Sequence, residues 1–222
     1  MKCTSRKGFS LIEIGIVMVV IGLIIAAVMK GKDVIKSAEM KEITQNFMSK
    51  WVSASDTYYD KLGYNPYGHR AKRMIGGQTT ANVLDVSLIT ETNVTNTWKN
   101  AGIDVKNLIK TDTGDPTQAY ISGEFTEDSN VHLTFGYVAI TDENANTRKR
   151  NVVIFTAVPV DVAKAFDKLT DSIVDGTAGK VVTDGNSFDV GDAHTIDESI
   201  TIADWADVEE NKVTDVYIIL EH

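Results

Sequence analysis

A single carboxylate, Glu13, sits among apolar side chains that run from Phe9 to Met29, five residues after Gly8 and behind three cations, Lys2, Arg6 and Lys7. An ionised carboxylate costs a few kcal/mol in hydrocarbon even on lenient insertion scales, so Glu13 calls for a cationic partner. A second acidic grouping lies near the C-terminus, where Asp184, Asn186, Asp189 and Asp192 offer hard oxygens of the kind that Ca²⁺ takes. The same Asp-Gly-Asn chemistry forms turns without any ion. Asp142, Asn144 and Asn146 imitate the opening of an EF-hand loop, but Thr147 holds the sixth place, which needs Gly, and Val153 stands where the bidentate Glu belongs. The four histidines, His69, His132, His194 and His222, are scattered, and no phosphate-cradling glycine loop follows a strand. No nucleophile, base and orienting group share a spacing that would support catalysis, so the chain reads as a non-enzyme.

The element that must carry Glu13 is a helix. From Phe9 to about Tyr59 the chain has no proline, enough for one helix of about 50 residues, roughly 75 Å long. Its first part, residues 9–30, is apolar all round and spans a bilayer at about 20 residues. In residues 31–62 the pattern narrows to one face: Val34, Ile35, Ala38, Ile43, Phe47, Trp51, Ala54, Tyr58 and Leu62, a stripe on which a folded domain can pack. Gly15, Gly22 and Gly31 each weaken the helix by about 1 kcal/mol relative to Ala. They predict either local melting between Gly22 and Gly31 or close helix approach in lipid.

The run Gly8-Phe9-Ser10-Leu11-Ile12-Glu13, with its short basic leader and long apolar tail, resembles the processing site of the type IV pilin and type II secretion pseudopilin superfamily. The resemblance covers the first 30 or so residues. It implies that residues 1–8 are a leader cut after Gly8 by prepilin peptidase, that the new Phe9 amine is N-methylated, and that residues 9–30 form the transmembrane and then filament-core helix. The expected partners are further copies of the chain or other pilin-like subunits, together with an inner-membrane assembly platform. The expected locations are the bacterial inner membrane and then either a surface pilus or a periplasmic pseudopilus. Glu13 would neutralise a Phe9 amine on its own or a neighbouring chain and so set subunit register. An ordinary cleaved signal peptide would want a shorter apolar core before Ala26-Ala27-Val28, and a plain anchor has no use for Glu13.

The formal charge of −9 becomes −12 once residues 1–8 and their three cations are removed, leaving 19 basic against 31 acidic side chains. That excess argues against nucleic-acid binding through bulk electrostatics, which needs Lys and Arg. The exception is the loop from Gly63 to Gly77, where Tyr64, Tyr67, His69, Arg70, Lys72 and Arg73 interleave aromatics with base; it is suited to DNA, an acidic partner or a neighbouring subunit, or it is simply a solvated loop. The only cysteine, Cys3, falls in the leader, so the mature chain departs from the disulfide-closed C-terminal loop of many major pilins and must hold that region by packing or by metal.

Residues 63–222 read as one head. A short helix is expected from Thr95, capped by Thr and stopped at Gly102, with Trp98 in the core. Strands are expected at Tyr120–Phe125, Val131–Ile140, Asn151–Val158 and Val213–Leu220, with a hairpin through residues 141–150. A second helix should run from Pro159 to a stop at Gly176, burying Val162, Ala165, Phe166, Leu169 and Ile173. The fold class is α+β: a long hydrophobic N-terminal helix packed on an antiparallel sheet, which the resemblance would make a pilin-like α/β roll.

Overall fold

The computed structural model describes residues 10–67, 85–88, 91–192 and 195–221. The chain divides into two compact units, Met1–Glu39 and Met40–His222. Helix α1 spans Leu11–Ile43, a π-turn follows at Thr44–Met48, and α2 spans Ser49–Leu62. α1 passes through Gly15, Gly22 and Gly31 without interruption, and each of these glycines faces open space. At the π-turn the Ser49 N–H bonds the Thr44 carbonyl, and the Ser49 hydroxyl donates to the same oxygen at 3.0 Å. α2 ends where Gly63 takes a left-handed φ of 70° and its N–H bonds the Tyr59 carbonyl at 2.7 Å, the conformation glycine adopts most cheaply.

The packing stripe begins later than its spacing suggests. Val34 and Ile35 are exposed, and burial starts at Met40 and Ile43, continuing through Phe47, Met48, Trp51, Ala54 and Tyr58 to Leu62. Trp51 is the centre of this face. Its ring meets Trp98 edge-on at 5.6 Å and Phe135 at 6.2 Å, and its indole N–H donates to the Pro116 carbonyl at 2.7 Å. Each such ring contributes about 1.5–3 kcal/mol by leaving water.

The rest of the second unit is a seven-stranded sheet with helices on one face. Its elements are β1 (Asp85–Leu88), α3 (Glu91–Asn100), α4 (Val105–Leu108), β2 (Gln118–Ser122), β3 (Asp128–Thr141), β4 (Thr147–Pro159), α5 (Val160–Asp171), β5 (Val181–Val182), β6 (Ser199–Thr201), a 3₁₀ turn (Trp205–Asp207) and β7 (Val213–Ile219). The order is β1-β3-β4-β7-β5. β3 pairs with β4 along one edge; along the other it meets three short strands end to end, β2 at residues 128–132, β1 at 134–137 and β6 at 139–141. Six strands run antiparallel, as expected of the sheet, and β6 runs parallel to β3; β1, β5 and β6 lie outside the four expected strands.

Alternation along the strands makes two cores. Val131, Leu133, Phe135, Val153, Phe155, Val216 and Ile218 face the core shared with α2 and α5. Val138, Ile140, Val152, Ile154 and Tyr217 face a second cluster, closed by Val182 and Ile200. A bulge between Phe155 and Val158, with Ala157 at φ 59°, returns Val158 to the α2 side.

Both predicted head helices shift. α3 starts at Glu91, not near Thr95, but it stops as expected: Gly102 has φ 73° and the Ile103 N–H closes on the Trp98 carbonyl. α5 ends at left-handed Ser172, ahead of Gly176, and its inner face is Val160, Val162, Ala163, Phe166 and Asp167; Leu169 and Ile173 are exposed. The expected apolar face was displaced because a buried carboxylate, invisible to a hydrophobic count, occupies it.

Candidate functional site

At the head of α1 the backbone closes a capping box. The Ser10 hydroxyl oxygen accepts the Ile12 N–H at 3.2 Å, and Glu13 Oε2 accepts the Ser10 N–H at 2.7 Å. Free N–H groups at a helix start make it locally positive, and a carboxylate in the first turn answers that charge. A capping box needs only one Glu oxygen, so the carboxylate retains capacity for a further donor. Ser10 is the functional residue that charge reasoning alone passes over, although Ser-x-x-Glu before an apolar run is a readable signature. Gly8 and Phe9 lie outside the described residues.

Beyond Glu13 the side chains from Ile14 to Met29 are all exposed and uncharged. Length and composition qualify this helix as a membrane anchor or a signal segment. An apolar surface of this extent on a helix with no core around it has to be covered by lipid or by other protein.

The C-terminal acids make turn and side-chain bonds within the fold. Asp184 accepts the backbone and side-chain N–H groups of Asn186 and the Tyr217 hydroxyl at 3.4 Å, and burial pushes its carboxyl up. Asp189 pairs with Lys212 at 2.8 Å, and Asp192 closes a turn onto the Asp189 carbonyl. Among the described residues no three His, Cys, Asp or Glu side chains gather as a cation site.

Helix α5 supplies the ties that this cysteine-free region uses. Asp167 Oδ2 accepts the Trp205 indole N–H at 2.6 Å and the backbone N–H groups of Asp175 and Gly176. One turn on, Asp171 accepts the N–H groups of Lys180 and Val181, both at 2.9 Å. Gly179, at φ 88°, lets the chain pass close beside that carboxylate. Burial, outweighing these donors, pushes the Asp167 carboxyl up.

In the basic aromatic loop, Tyr67 is buried and Tyr64 meets Tyr58 edge-on at 5.9 Å, so both aromatics belong to the packing around α2. Burial beside Tyr64 pushes the Tyr58 phenol up. His69, Arg70, Lys72 and Arg73 lie outside the described residues, as do His194 and His222. His132 lies on β3, where burial lowers its imidazole.

No family model, curated protein or solved structure matches this chain. What the geometry defines is an α+β protein whose N-terminal helix is fit for an apolar medium and is headed by a capped carboxylate.

Proposed function

We propose that the chain is a structural subunit of a type IV pilus or related filament, cut after Gly8 by prepilin peptidase, N-methylated at Phe9 and polymerised through its N-terminal helix. The observation that carries this reading is Glu13, a carboxylate five residues past Gly8 in a helix otherwise apolar and exposed to Met29. The capping box needs an acceptor at residue 13 but not a charge, since Gln serves the same motif. The charge has a use when a new Phe9 amine, its own or a neighbour's, is held beside it in a medium of low dielectric. The second unit acts as an interaction surface and has no catalytic role. Absence of cysteine after Cys3 favours a secretion pseudopilin or minor subunit over a disulfide-closed major pilin.

The decisive experiment is the intact mass and N-terminal sequence of the chain from its native membrane, with the sheared extracellular fraction beside it. A chain starting at methylated Phe9 supports the reading, and its presence in the sheared fraction selects a surface pilus. A chain still starting at Met1 makes this an uncleaved membrane-anchored binding domain and overturns the proposal.

A further inference from the structure

Of the chain's asparagines only Asn93 is followed two places on by Ser or Thr, in Glu91-Thr92-Asn93-Val94-Thr95. That is the spacing of an N-glycan acceptor, with no proline between the two residues that define it. The segment opens α3, where Val94 and Trp98, four residues apart and fully buried, form the inward face. Asn93 is turned outward and is exposed.

An acceptor asparagine must leave a helical turn to enter the transferring enzyme, and this turn is built to open. It lies where the first N–H groups of the helix have no intrahelical partner, so few bonds hold it. Thr92 to Thr97 read Thr, Asn, Val, Thr, Asn, Thr, all weak helix formers. The Thr97 hydroxyl donates to the Asn93 carbonyl at 2.8 Å, a side-chain bond that competes with the helical ladder. Glu91 pairs with Lys106 at the surface, where such a pair stabilises little and exchanges readily for another cation.

Thr95 supplies the second observation. Its hydroxyl oxygen is buried and has no hydrogen-bond partner among the described residues. The folded state therefore leaves desolvated a hydroxyl that valine, of similar shape, would not bring. A use for that hydroxyl lies outside the fold, and the sequon gives it one, since the residue two places after the asparagine must carry a hydroxyl.

We infer that Asn93 is a site of N-linked glycosylation. The co-substrate is an oligosaccharide carried on a polyprenyl diphosphate. The Asn93 amide nitrogen bonds the anomeric carbon, the carbon–oxygen bond to the diphosphate breaks, the lipid diphosphate leaves with the bonding pair, and the amide gives up one proton. The inference rests on the export that the filament reading entails, and it puts the glycan on the outer side of α3.

The test is the intact mass of the full chain from its native membrane, with fragmentation of the peptide that holds residues 91–95. Wild type should be heavier than its polypeptide by whole sugar units carried on Asn93. N93Q and T95V should lose that increment completely, and T95S should keep it. T95V should also melt at or above the wild-type temperature, because the fold makes no bond to the hydroxyl it removes, so its loss of glycan is not a loss of fold. An unmodified Asn93 in a chain that begins at Phe9 overturns the inference and leaves the filament reading intact. An increment that survives N93Q overturns it as well. A modified Asn93 in a chain that still begins at Met1 overturns the filament reading and leaves this site standing.

Discussion

Glu13 and Asp167 are both helix-borne carboxylates that accept backbone N–H groups, and they are satisfied in opposite ways. Glu13 bonds Ser10, three residues away, in a helix whose every neighbour is exposed. Asp167 bonds Trp205, 38 residues away, together with Asp175 and Gly176, and is fully buried. A local tie of the first kind stabilises by about 1 kcal/mol and survives without a tertiary structure. A buried one depends on the whole fold to bring its donors, and removing it leaves those donors unsatisfied. The helix start of the first unit therefore depends only on its own first turn, while the ties of Asp167 depend on segments that the fold brings to it.

That contrast can be broken from either side. The largest effect should come from Trp51→Ala, which deletes the ring between Trp98 and Phe135 and the bond to Pro116; about 3–5 kcal/mol should be lost, read by urea unfolding of the second unit. If that unit unfolds at an unchanged midpoint, its core is not organised on α2.

Asp167→Asn should cost about 2 kcal/mol, because the amide N–H₂ takes the place of Oδ1, a buried atom with no hydrogen-bond partner among the described residues, while the other oxygen still accepts from Trp205, Asp175 and Gly176. It also has a pH signature. The Asp167 carboxyl is raised above its usual 3.8, so the folded state holds its proton longer than the unfolded one. The stabilisation linked to that proton is complete below 3.8 and is lost as pH rises through the raised folded value. The stability of wild type relative to Asp167→Asn should therefore fall over that interval, and a pH-independent difference would show that Asp167 does not titrate with folding.

Glu13 can be dissected with two substitutions. Glu13→Ala loses both cap and charge, while Glu13→Gln keeps the acceptor for Ser10 and loses only the charge. Helix content in detergent should drop slightly for the alanine variant, by a cap worth about 1 kcal/mol, and stay level for glutamine. Under the proposed assembly both should reduce filament yield alike, by about tenfold, the equivalent of about 1.4 kcal/mol. Normal assembly of Glu13→Gln would reduce the residue to a cap.

The smallest effect is a gain. Ala157 holds φ 59° at the β4 bulge while its N–H bonds Asp215 at 3.2 Å. Ala157→Gly should relieve up to about 1 kcal/mol of backbone strain, offset in part by the greater freedom of glycine when unfolded. A lower melting temperature would mean that the bulge is held by packing of the alanine methyl.

Much of this architecture was legible in the residues. The proline-free run announced the long helix, the loop expected from Gly63 begins where α2 ends, Gly102 marked the stop of α3, alternation located β3, and an apolar β-branched run located β4. Ser10-x-x-Glu13 announced the cap as well, had the pair been read as a motif. Elsewhere spacing misled. Val34 and Ile35 continue the helical stripe yet have nothing to pack on, and Leu169 and Ile173 lie on the outward side of α5 because Asp167 faces inward. β6 has three residues and no pattern of its own; only the free edge of β3 makes it a strand.

The division follows range. Sequence by itself determined the anchor-like helix, its capped carboxylate, the absence of cysteine beyond Cys3 and the hairpin at Asp142–Asn146, since each depends on neighbours within a few residues or on composition alone. Tertiary structure alone decided that the C-terminal acids serve as backbone ties and that Trp205 closes on Asp167. Those outcomes depend on which groups the fold brings up, from 8 residues away at Asp175 to 38 at Trp205, and a desolvated carboxylate takes whatever donors are delivered to it.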